Sequence, residues 1–165
     1  MADVDWARVA PPYEFFDEEM ADDFARAVLR AHDKVANVSA CFASDADEAV
    51  RFQWLGRVKS VVDSSFVEVM GCRPADRFTD IFDQISFFAS HLALDHIFPD
   101  GNKRTTLVVS VAACEAMGNV DLHFLDDPDP NFNLLYGWIG SVVSREKTEG
   151  ELAEVIRTIA SPKKN

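Results

Sequence analysis

The nine residues from His96 to Arg104, "HIFPDGNKR", bring together an imidazole, a carboxylate, an amide and two cations. Each of these groups has a chemistry that the others complete. The His96 imidazole can accept a proton from an attacking hydroxyl. Gly101 and Asn102 stand where a helix begins, and the free backbone N–H groups and dipole of a helix start attract anions. Glycine lets the backbone approach such an anion because no Cβ intervenes. Lys103 and Arg104 in the first turn oppose the helix dipole, a conflict that a bound polyanion would relieve. Phosphate is the natural candidate. Beside phosphates, Asp100 is suited to Mg²⁺, which takes one or two carboxylates plus phosphate oxygens and keeps most of its waters. Phe98 alternates with the polar groups and is expected to point into the core as the anchor of the loop. A base, a metal carboxylate and a phosphate cradle together imply phosphoryl or nucleotidyl transfer, in which positioning and charge stabilisation supply most of the catalysis.

Such a cluster needs elements to hold it, and hydrophobic periodicity places them. Asp17 with Glu18 and Glu19 reads as an N-cap and acidic first turn. Met20, Phe24, Ala27, Val28, Ala31 and Val35 follow at helical spacing and predict a helix to about Val35. Residues 37–43 read as loop. A second helix from about Asp45 should bury Ala49, Phe52, Leu55, Val58 or Val61, Val62 and Phe66. Val67–Pro74 contains a glycine and a proline, which predicts a connector with at most a short extended piece. A third helix is expected after Pro74, with Phe78, Ile81, Phe82, Ile85, Phe88 and Leu92 on one side. Leu107–Met117 is apolar on nearly every side, which predicts a central helix buried all round and ended by Gly118-Asn119. Asp126–Asn131 reads as loop, Phe132–Ser144 and Thr148–Ala160 as helices, and the last five residues as a frayed tail. The expected architecture is one all-α domain, residues 1–165, around a central helix.

Composition narrows the functional classes. The chain has 165 residues, of which 48% are hydrophobic, enough for one domain with a substantial core. Lys and Arg number 16 against 28 Asp and Glu, a formal charge of −12. No basic stripe for nucleic acid is visible. The three cysteines, Cys41, Cys72 and Cys114, lack the spacing of a zinc site or a disulfide framework. No membrane-length apolar run and no leader pattern is visible, so a cytoplasmic protein is expected, with neither nucleic acid nor membrane as a direct partner.

The cluster resembles the signature of the Fic/Doc (Fido) family, HxFx(D/E)(G/A)N(G/K)R. The likeness extends to "VLRAHDKVAN" before it, "TTLVVSVAACEAMGN" after it and "SREKTEGELAEVIRTIA" near the C-terminus, covering about residues 17–160. Lysine after the asparagine is similar to the Doc branch, the toxins of phage and plasmid addiction modules. The resemblance implies a Fic/Doc-like helical domain, with a short β-flap at Val67–Gly71 for target docking as one reading and an ordinary connector as the other. It implies His96 as catalytic base, Phe98 as loop anchor, Asp100 as catalytic and metal carboxylate, and Gly101, Asn102, Lys103 and Arg104 as the nucleotide-phosphate loop. The cofactors implied are ATP and Mg²⁺.

Fic proteins usually transfer AMP from ATP to a hydroxyl side chain. Doc proteins transfer the γ-phosphoryl group, with translation elongation factor Tu as the known target class. In AMP-transferring relatives a second arginine follows three residues after the first; Leu107 stands there in this chain. Leu94 and Val108 likewise stand where Doc proteins tend to have arginine and asparagine. The self-inhibitory motif [ST]xxxE[GN] is absent, because Arg145 lies four residues before Glu149-Gly150. Inhibition is therefore expected from a separate antitoxin. The leading expectation is a Doc-like protein kinase. AMP transfer and an inactive Fido domain serving as a binding module are the alternatives. His32, His91 and His123 lack reactive neighbours in sequence and read as surface or satisfied residues. The phenylalanines of the second and third helices, Phe52, Phe66, Phe78, Phe82 and Phe88, read as core.

Overall fold

The computed structural model describes residues 3–38, 47–123 and 133–164. Residues 37 and 38, read as loop, continue the helix that ends at Val38; the rest of that reading, residues 39–43, and the loop reading of 126–131 lie outside the described residues. The chain is mostly helical, as expected: α1 Trp6–Val9, α2 Glu18–Val38, α3 Glu48–Phe66, α4 Pro74–Arg77, α5 Ile81–Leu94, α6 Asn102–Met117, α7 Leu134–Val143 and α8 Glu149–Ile159. A two-stranded antiparallel pair, β1 Val120–Leu122 and β2 Ala160–Pro162, completes it.

Local chemistry sets most of the boundaries. The Asp17 carboxylate accepts the Glu19 N–H at 2.8 Å ahead of α2, and Asp47 caps α3 by accepting from Val50 N–H at 2.9 Å. The segment after Pro74 is two helices and not the single one expected. Asp80 is the reason: its side chain accepts from the N–H groups of Phe82 and Asp83, so a new helix starts there. Thr148 and Glu151 form a reciprocal capping box at the start of α8.

The most enclosed helix is α5, which packs against α3, α6, α7 and α8. Ile81, Phe82, Ile85, Phe88 and Leu92 are all at most 2% exposed. On the other side of the core Phe15, Phe24, Phe66 and Phe88 meet in tilted and edge-on contacts, with ring centroids 5.3–5.7 Å apart. Each fully buried phenylalanine contributes about 1.5–3 kcal/mol. α6 is not buried all round, contrary to its apolar composition. Val108 is half exposed and Ala112 and Ala116 face solvent, while Val109, Ala113 and Cys114 face inward. Small residues on the outer side cost little when left in water, so an apolar run does not require burial on every face. Phe52, read as core, is 77% exposed, and Phe78 is only half-buried.

The C-terminal segment is paired and not frayed. Leu122 lies opposite Ala160 and Val120 opposite Pro162, and Lys163 donates to the carbonyl oxygens of Asn119 and Glu115. In the Val67–Pro74 connector the only extended pairing is a bridge between Val69 and Cys72 across a tight turn at Met70-Gly71, both at positive φ.

Candidate active site

α5 ends at Leu94, and α6 begins at Asn102, so His96–Gly101 lies in the corner between two helices that pack against each other. Two residues in this corner have left-handed backbone: His96 at φ +45° and Gly101 at φ +79°. Gly101 is the N-cap of α6. A side chain there would be strained by the backbone angle alone. Histidine tolerates this region better than most residues, yet such angles persist only where surroundings enforce them.

The enforcement is visible. Asn102 turns back on the loop: its Oδ1 accepts from Phe98 N–H at 3.0 Å and its Nδ2 donates to Phe98 O at 2.7 Å. Phe98 itself is 3% exposed, anchoring the loop as expected. Its ring stacks on His32 of α2, with centroids 3.8 Å apart and planes 11° apart, and Trp54 of α3 meets both rings edge-on. His32 Nε2 lies 3.0 Å from the carbonyl oxygen of Asp100. A carbonyl only accepts, so Nε2 carries the proton and donates. Burial holds the His32 imidazole below its ordinary pKa, partly opposed by the Asp100 carbonyl. Arg57 of α3 donates to the carbonyl of Asp95, immediately before His96.

On the outer side of the corner lies an open cleft bordered by Ala93, His96, Pro99, Asp100, Gly101, Asn102, Lys103, Arg104 and Tyr136. Six of the seven residues singled out in the sequence thus line one space, and the seventh, Phe98, anchors it from beneath. His96 and Asp100 are exposed there. Arg104 Nη2 stands 3.3 Å from Asp100 Oδ2, an i,i+4 pair. Lys103 reaches toward α7, its Nζ 3.8 Å from where a Cβ on Gly140 would sit. One carboxylate beside two cations at a helix start suits a magnesium–phosphate ligand, since Mg²⁺ uses few protein oxygens when phosphates supply the rest. Among the described residues no group of three or more His, Cys, Asp or Glu that could hold a metal ion is gathered.

Leu107, one turn further along α6, turns away from this cleft. It borders a small apolar gap with Ile85, Ala89, Leu135 and Ile139. His91 lies 3.6 Å from Glu149 and His123 Nε2 is 2.6 Å from Ser161 Oγ, so neither joins the site. His32, Trp54, Arg57 and Tyr136 are the site's unforeseen members. Only their contacts across the fold reveal them, although His32 falls in the "VLRAHDKVAN" stretch. No family model, no curated protein and no solved structure matches this chain.

Proposed function

We propose that this protein is a Fic/Doc-type toxin of a toxin–antitoxin module that transfers the γ-phosphoryl group of ATP to a hydroxyl side chain of a cellular protein. The observation that carries the reading is the convergence of His96, Asp100, Lys103 and Arg104 on one cleft at the N-terminus of α6. A proton acceptor, a carboxylate and two cations around a helix start form a suitable set for moving a phosphoryl group.

In this reading the triphosphate lies against the Gly101–Asn102 backbone, with Lys103 and Arg104 balancing its charge. Asp100 would hold Mg²⁺ together with phosphate oxygens, and the ion would supply charge neutralisation at the phosphates. The target hydroxyl oxygen bonds to the γ-phosphorus as the bond from that phosphorus to the β,γ-bridging oxygen breaks. ADP leaves, and the hydroxyl proton passes to His96. Leu107 favours this over AMP transfer, because it faces apolar side chains where the AMP-transferring relatives place a second arginine. Elongation factor Tu is the target class that the resemblance suggests, with control by an antitoxin acting in trans.

The test uses ATP labelled at either the α or the γ phosphorus, incubated with the protein and a cell lysate. γ-Label should reach a protein band and α-label should not. Robust α-label incorporation would replace phosphoryl transfer with AMP transfer, and no incorporation of either label would favour the binding-module alternative.

A further inference from the structure

The corner that carries His96 and Asp100 is braced from behind by side chains of two other helices, and one of them has an unusual environment. His32 is 5% exposed, a buried polar side chain. Its Nδ1 is buried without a hydrogen-bond partner, and Asp33 Oδ1, 4.0 Å away, is a carboxylate oxygen that cannot donate to it. An unpartnered buried acceptor costs stability. What the imidazole provides in return is the directed Nε2–H at 3.0 Å from the Asp100 carbonyl. The stack on Phe98 and the edge of Trp54 fix the ring plane, so the direction of that N–H is fixed too. α2 also sits directly beneath the phosphate turn: a Cβ on Gly101 would lie 3.5 Å from Val35 Cγ1 and 3.8 Å from His32 Cδ2.

We infer that His32 is a positioning residue for the phosphate turn: its Nε2–H holds the Asp100 carbonyl and thereby orients the Gly101 amide of the same peptide plane toward the nucleotide. This rests on the phosphotransfer reading for its consequence in catalysis, but its geometric content stands apart from it. The Asp100 carbonyl and the Gly101 N–H belong to one peptide plane, so releasing the carbonyl lets that plane rotate and carries the Gly101 amide with it. Arg57 on Asp95 and Asn102 on Phe98 hold the earlier part of the loop, and His32 is the brace nearest the phosphates.

Two substitutions of nearly equal shape separate the donor from the packing. His32→Gln keeps an N–H at about the reach of Nε2, and His32→Met fills similar space without one. Both lose the ring stack equally, so their difference reports the hydrogen bond. In the protein without nucleotide, amide hydrogen exchange across residues 97–103 should be faster in His32→Met than in His32→Gln. In the labelled-ATP assay, kcat/KM for MgATP should fall about tenfold or more in His32→Met, as expected from a small misplacement of reacting groups, and recover substantially in His32→Gln. Equal exchange and equal kinetics in the two variants would overturn the inference. Nitrogen NMR of the unsubstituted protein decides it independently of any variant's folding: a slowly exchanging His32 Nε2–H supports it, and a proton on Nδ1 overturns it. A wild-type protein that transfers no label would defeat the phosphotransfer reading, while exchange and NMR would still decide the role of His32.

Discussion

An exposed imidazole on a loop at φ +45° contributes little packing, so removing it separates chemistry from folding. His96→Ala should therefore leave the melting temperature nearly unchanged while lowering γ-label transfer about 10²–10⁴-fold, the usual worth of a positioned general base. Circular dichroism melting and the labelling assay, run on one preparation, check both halves. Asp100 makes a different demand. Its carboxylate is exposed and lies 3.3 Å from the Arg104 guanidinium. Asp100→Asn should weaken ATP binding in the presence of Mg²⁺ and leave metal-free binding close to wild type, read by calorimetry with and without the ion. Equal losses in both titrations would remove Asp100 from the metal. That His96, Asp100, Gly101, Asn102, Lys103 and Arg104 line one cleft was legible because they belong to one continuous segment. His32 was not legible for the opposite reason. It meets Asp100 across 68 positions of chain, and no pattern within α2 distinguishes a buried histidine with a task from one without.

Between helices, α8 is tied to the start of α5 by a cluster of ion pairs. Arg157 places Nε 2.9 Å from Asp80 Oδ2 and Nη2 2.6 Å from Asp83 Oδ1, while Asp80, 2% exposed, also caps α5. These carboxylates raise the Arg157 pKa further, against the burial that lowers it. Arg157→Met leaves a buried carboxylate without its cation and should cost about 3–5 kcal/mol, measured by denaturant unfolding. A loss under 1 kcal/mol would show that the pair is dispensable. At the other end of α8, burial raises the Glu149 pKa above its ordinary value of 4.5, with nearby His91 acting to lower it. A carboxyl with a raised folded pKa gives stability that is present below its unfolded pKa and lost as pH rises through the folded one. Glu149→Gln should then raise the melting temperature at pH 7, with the gain shrinking as pH falls toward 4.5 and below. Helix positions such as these were readable from the 3.6-residue period and the Asp and Thr caps. The break at Asp80 and the β1–β2 pairing were not. The first depends on one side chain choosing backbone N–H groups over solvent, and the second joins strands of three residues each that carry no pattern of their own.

At the scale of the whole molecule two fields compete over the cleft. The chain carries a formal charge of −12, spread over 28 acidic and 16 basic residues, which repels a nucleotide triphosphate at long range. Lys103, Arg104 and the start of α6 attract it at short range. Salt weighs these two unequally. The screening length is about 30 Å at 0.01 M and about 8 Å at 0.15 M, so low salt lets the whole acidic surface act, and physiological salt leaves mainly the charges that line the site. The association rate of MgATP should therefore rise as ionic strength increases over this range. That is the reverse of the usual behaviour for an anion entering a basic cleft on a neutral or basic protein. Stopped-flow measurement with a fluorescent ATP analogue in the presence of Mg²⁺, at a series of salt concentrations, checks it. A steep fall would mean that the local cations dominate even at long range. The same repulsion would act on an acidic protein, so in the phosphotransfer reading a protein substrate should present either basic surface or shape complementarity strong enough to overcome it.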